Sequence, residues 1–264
     1  MFDPSIIVDA SYGFWIAGGL ATFLVAMSKS GFGGAMGSLG MPIMLTVLSP
    51  GLTLAVLLPV FLVCDIYVGW KYRRLAVRRL IIIMFVAGCV GQLAGWLLYQ
   101  YISEAMLVVC IGLLAIFTGG RYFLRLYRPV IDNALQREKL VKLRREVRAR
   151  ASLWCGLSGL SSFVSLTGGI PAQVFLLPLR LPRAYYVGTM GWFFLLINLA
   201  KLPFFVELGL FNAASLTASL ALVPIVPFGV MLGLWLNRTM SDKWFYHISH
   251  GFLLALGIRL IVIA

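Results

Sequence analysis

Charge is what this sequence has least of. Of its 264 residues only 12% are charged, and only nine are Asp or Glu. With 61% hydrophobic residues and a mean hydropathy of +0.96, the composition excludes an ordinary water-soluble domain. Histidine occurs twice and cysteine four times, with no C-x-x-C and no histidine at metal-ligand spacing from a thiol. No zinc site follows, and Cys64, Cys89, Cys110 and Cys155, all within apolar runs, read as small buried hydrophobes. The first ten residues contain no Lys or Arg, so the basic start of a signal peptide is missing. The first apolar run is therefore expected to stay in the mature protein. The run G-F-G-G-A-M-G lacks the Gly-Lys-Ser/Thr ending of a phosphate loop, and no nucleophile triad is visible. An enzyme is not expected, and no cofactor is implied.

What the chain has in excess is apolar length. Runs lie at about 12–28, 35–49, 52–70, 80–101 and 104–120, then at 151–164, 170–180, 184–206, 212–236 and 244–264. Five and five segments predict an all-α polytopic membrane protein: a first transmembrane repeat over 1–120, a basic cytoplasmic linker over 121–150 and a second repeat over 151–264. The 35–49 and 170–180 runs are too short for regular spans and are expected as the second arms of bent hairpins. The formal charge of +13 comes from basic residues gathered in two connections between spans, which suits anionic lipids and not nucleic acid. In the linker, Asp132 is a candidate helix cap, and Glu138 with Lys142 an i,i+4 pair.

The halves repeat. At an offset of 138, Gly91 matches Gly229, Gly95 matches Gly233 and Ser103-Glu104 matches Ser241-Asp242; Phe61 and Asp65 match Phe194 and Asn198 at 133. The connection after the third segment carries Lys71, Arg73, Arg74, Arg78 and Arg79, while its counterpart near 204–212 has no base and contains Glu207. Equivalent loops are thus expected on opposite sides, as in inverted repeats, with both termini periplasmic.

Two glycine-rich breaks, Ser30-Gly31-Phe32-Gly33-Gly34 and Ser165-Leu166-Thr167-Gly168-Gly169, interrupt apolar runs at matching places. A broken helix frees backbone polar groups that only protein, water or a ligand can satisfy, so such breaks mark binding sites in carriers. Helix N-termini after Gly34 and Gly169, meeting near the midplane, would cradle an anion. Candidate substrate-binding residues are Lys29, Ser30, Gly31, Gly33, Gly34, Thr167, Gly168, Gly169, Gln173, Asn198 and Lys201. The competing explanation is that the glycines allow close helix packing and the hydroxyls bond their own backbone. Asp65, an acid inside a span, is the candidate for proton coupling, or else neutralises Lys201 or a loop arginine. His247 and His250 read as hydrogen-bonded packing residues.

The stretches SGFGGAMGSLGMPIM and LTGGIPAQVFLLPLRLPRAYYVGTMGWFFLLIN resemble the sulfite exporter TauE/SafE family of bacterial membrane carriers. The markers are the paired Gly-Gly breaks, Pro42 and Pro178 after them, and Gly188-Thr189 with Asn198. The chain departs from a symmetric pattern at Ala55-Val56 and at Asp65. The resemblance implies an inner-membrane transporter of a small sulfur-containing anion, of the sulfite, sulfonate or sulfoacetate class, working by alternating access, with a homodimer possible. The alternative is a non-transporting scaffold that holds a cytoplasmic partner through the basic linker, which has no evident need for two broken helices.

Overall fold

The computed structural model describes residues 12–34, 37, 39–98 and 136–263, with single positions at 113, 116, 117, 120, 123 and 124. The Asp132 cap, the Glu138–Lys142 pair, Cys110, the Ser103-Glu104 turn and most of the 104–120 segment lie outside the described residues and side chains. Every regular element described is helical. In chain order these are α1 (Tyr12–Phe32), α2 (Gly40–Met44), α3 (Pro50–Lys71), α4 (Arg78–Leu98), α5 (Gln136–Ser165), α6 (Gly169–Leu176), α7 (Arg183–Glu207), α8 (Ala213–Leu222), α9 (Val226–Thr239) and α10 (Asp242–Ile263).

Four stretches are long and apolar enough to cross a bilayer: α3, α4, α7 and the continuous run of α8 and α9. The pattern on α4 shows what solvent it expects. Its exposed face is the apolar stripe Ile82, Val86, Val90, Leu93 and Leu97, while its buried face, after Ile81 and Met84, holds small and polar residues, Ala87, Gly88, Gly91, Gln92 and Gly95. Large apolar groups outside and small ones inside suit lipid tails, because close backbone packing rather than hydrophobic burial joins helices there.

Three elements differ from the sequence expectation. Among the described residues of the 35–49 run, the one α-helix is the five-residue α2, which starts at Gly40. The 212–236 run is two helices joined by a tight turn at Val223–Ile225, because Pro224 and Pro227 lack the N–H groups a continuous helix requires. Asn212 and Ser215 cap its start reciprocally, at 2.7 and 3.1 Å. Helix α5 runs without a break from the basic linker into the 151–164 segment, so no element boundary falls at 151.

The most extensive contacts are α4 against α5 and α9 against α1. Both are glycine-mediated. A Cβ at Gly91 would strike the carbonyl of Gly156, and one at Gly233 would strike the carbonyl of Met27. Between these pairs α3 crosses α7. Gly51 at the start of α3 neighbours Leu210 after α7, and Gly188 near the start of α7 abuts Leu75 after α3. Val77 N–H also donates to Thr189 Oγ1 at 3.1 Å. Helices α3 and α7 are therefore antiparallel, and their following loops lie at opposite ends of the molecule.

Candidate functional site

The apolar stretch of α1 ends in Ser28-Lys29-Ser30, and all three residues are buried. The chain then turns back through left-handed backbone at Gly33 and Gly34, φ +71° and +99°, a conformation open to residues without a Cβ. Gly34 N–H donates to the Ser28 carbonyl at 3.0 Å and Gly37 N–H to Ser28 Oγ at 3.1 Å, which occupies the freed helix end. The second break turns differently. There the left-handed residue is Leu166, φ +55°, while Gly168 is right-handed and is needed because a Cβ would lie 2.5 Å from the Ser158 carbonyl.

Both breaks open onto one cavity. It is lined by Lys29, Gly34, Gly37 and Phe61 from the first half and by Ser162, Leu166, Gly169, Phe194 and Asn198 from the second. Its volume is about 10 Å3, room for one water molecule. An oxyanion enters only if the surrounding side chains part.

A hydrogen-bonded chain of five residues crosses this site from half to half. Lys29 Nζ on α1 lies 2.6 Å from Asp65 Oδ1 on α3, and Asn198 Nδ2 on α7 donates to Asp65 Oδ2 at 2.7 Å. Asn198 Oδ1 in turn accepts from Lys201 Nζ at 3.4 Å, and Lys201 donates to Ser162 O and Oγ on α5 at 2.7 and 2.9 Å. All five are buried. The amide of Asn198 thus presents its donor to the carboxylate and its acceptor to the ammonium. Phe61 and Phe194, one turn before Asp65 and Asn198, place their rings 4.6 and 5.1 Å from Lys29 Nζ. The cluster holds two lysines and one aspartate, and the three acceptors around Lys201 are all uncharged. A buried ammonium without a carboxylate is costly, so Lys201 is stable either as the neutral amine or with an anion beside it.

Of the residues expected from sequence, Lys29, Gly34, Gly169 and Asn198 line the cavity and Lys201 and Asp65 complete its polar chain. The partner of Asp65 is Lys29, neither Lys201 nor a loop arginine. Ser30, Gly31, Gly33, Thr167, Gly168 and Gln173 stand just outside. Ser30 Oγ donates to Ala26 O at 2.8 Å, and Gly31 packs on Gly233. Gly33 faces Tyr186, Thr167 bonds Ser165 at 2.7 Å, and the Gly168 carbonyl accepts from Ser158 Oγ at 2.6 Å. Gln173 Nε2 donates to Phe32 O at 3.1 Å, tying α6 to the end of α1. Helix α6 starts at Gly169 as expected; on the first side the described α2 starts at Gly40, and residues 35, 36 and 38, where the other N-terminus was expected, lie outside the described residues. Phe61, Phe194, Ser162 and Leu166 join the site; the signal for the two rings was their shared offset with Asp65 and Asn198.

His247 and His250 bond the carbonyls of Lys243 and Tyr246 at 2.7 Å each. No group of three potential metal ligands occurs among the described residues. No curated protein and no solved structure gives a significant match to the chain. The sequence profile described as sulfite exporter TauE/SafE matches residues 18–260, almost the full length. Matched over nearly its whole length, and helical with four stretches long and apolar enough to cross a bilayer, the chain belongs to the sulfite exporter TauE/SafE family of membrane anion transporters.

Proposed function

We propose that this chain is a secondary carrier that moves a small sulfur-containing anion, of the sulfite, sulfonate or sulfoacetate class, by alternating access. The observation that carries the proposal is a buried chain of two lysines and one aspartate at a cavity to which both halves contribute. In this reading the closed cavity is an occluded state with Lys29 and Lys201 poised for the anion. Residues 1–120 and 151–264 are inverted repeats joined by the 121–150 linker, in a bacterial inner membrane with both termini periplasmic. The antiparallel course of α3 and α7 and the one-sided basic loop at 71–79 support that arrangement. Asp65 is the group proposed to carry a proton with or against the anion. The scaffold alternative has no observation in its favour.

Uptake into proteoliposomes with sulfite, sulfoacetate, taurine, thiosulfate and sulfate tests the proposal. At least one of these is expected to be concentrated, and Lys29→Met is expected to abolish that uptake. Transport of none of them by folded protein sinks the carrier reading for this substrate class.

A further inference from the structure

A second polar cavity lies about 10 Å from the first along α3, taking seven residues from Asp65 to Tyr72 at about 1.5 Å each. It sits where the end of α3, the start of α7 and the end of α9 meet, with a volume of about 270 Å3. Lys71, Arg183 and Arg238 line it, together with Tyr72 and Asn237. Arg183 is held by Asp242 at 3.7 Å and by the Arg238 carbonyl at 3.3 Å. Among the described residues, neither Lys71 nor the Arg238 side chain has an ion-pair partner. Arg183 and Ala184 open α7, and their N–H groups have no acceptor within the helix, which adds positive potential to the same wall.

The floor of this cavity leads to the first break. Tyr72 and Asn237 are buried; the Tyr72 hydroxyl donates toward Asn237 Oδ1 at 3.2 Å and Ser30 O at 3.4 Å, and Asn237 Nδ2 donates to Gly31 O at 2.9 Å. Ser30 directly follows Lys29. The two cavities are thus separated by a layer of neutral hydrogen-bonding side chains, with cations on either side of it.

We propose that this cavity is a second oxyanion site, binding a small tetrahedral or pyramidal oxyanion at the mouth of the pathway before it passes the Tyr72–Asn237 layer to Lys29. The proposal rests on the carrier reading only for the identity of the anion. A phosphate headgroup of an anionic lipid offers the same chemistry. The neighbouring hollow, which shares Lys71 and Leu75 with this cavity, adds Arg73, Arg74 and an exposed Trp70; an interfacial tryptophan beside two arginines suits a headgroup there better than here, where Tyr72 and Asn237 lead inward, and so favours the free anion in this cavity.

The test is the number of sulfite ions bound per chain by the full-length protein in a neutral detergent, with retained lipid counted by native mass spectrometry. Lys71 and Arg238 are exposed and unpaired, so Lys71→Gln/Arg238→Gln is expected to fold, as size-exclusion chromatography would verify. Wild type is expected to bind two equivalents. The double variant should lose one of them and Lys29→Met the other. A single equivalent removed only by Lys71→Gln/Arg238→Gln upholds this site and fails the cavity at Lys29. A single equivalent removed only by Lys29→Met does the reverse and overturns the inference. If the double variant instead loses one bound phosphatidylglycerol and no sulfite, the cationic wall holds a lipid headgroup and not a free anion, which overturns the inference. Sulfite and lipid counts that match wild type in the double variant overturn it.

Discussion

At residue 198 the chain breaks its own symmetry, and the break sets the sign of the site. Asn198 aligns with Asp65 and touches it, so an acid there would put two carboxylates 2.7 Å apart and cancel the extra ammonium. At an effective dielectric near 20, a unit charge about 5 Å away contributes roughly 3 kcal/mol. Asn198→Asp is therefore expected to weaken anion affinity on the order of a hundredfold while Lys201, newly paired, keeps the protein folded; unchanged half-saturation in anion exchange would refute the electrostatic account. Asp65→Asn tests the other role. It strands the Lys29 ammonium, which costs about 3–5 kcal/mol of stability, and it should remove the dependence of flux on a pH gradient while exchange persists. If Asp65→Asn still concentrates substrate along that gradient, Asp65 carries no proton and only neutralises Lys29. The polar residues themselves were legible in the sequence, because ionisable groups stand out in apolar runs. Their pairing was not: Lys29 and Asp65 are 36 positions apart, and only the packing of α1 on α3 brings them together. The left-handed turn at Leu166 was equally hidden, since leucine has no preference for it.

Among elements, the glycines divide into those that turn the chain and those that let helices touch. Gly91 and Gly233, each of which has a glycine counterpart in the sequence at an offset of 138, both belong to the second group, one in the contact of α4 with α5 and the other in that of α1 with α9. Gly91→Ala must push α4 off the Gly156 carbonyl. Overpacking of this kind costs about 1–3 kcal/mol, so a lower melting temperature in detergent is expected. Gly251→Ala, whose Cβ would meet nothing within 4 Å on α10, should be neutral or slightly stabilising. Equal effects at the two positions would remove close packing as the reason for the repeat. Element existence was readable from apolar runs, whereas the division of 212–236 turned on two prolines and the brevity of α2 on the geometry of the first break.

For the whole molecule the decisive relation is antiparallel crossing. Because α3 ends where α7 begins, the basic turn after α3 and the base-free turn after α7 stand at opposite ends of a helix of 25 residues, about 37 Å long. If α7 spans the bilayer, these turns face different compartments, and the positive-inside rule places the one carrying Arg73 and Arg74 in the cytoplasm. Loop charge made the opposition legible in the sequence; helix direction, which needs contacts between residues far apart in the chain, was not. Arg74→Cys and Leu208→Cys, both at exposed positions, provide the check in a chain whose four native cysteines are replaced. An impermeant maleimide added outside intact cells should label the second and spare the first, and inverted membrane vesicles should reverse the pattern. Labelling of both from one side would mean that α7 does not cross, and the inverted repeat, with the alternating access built on it, would have to be abandoned.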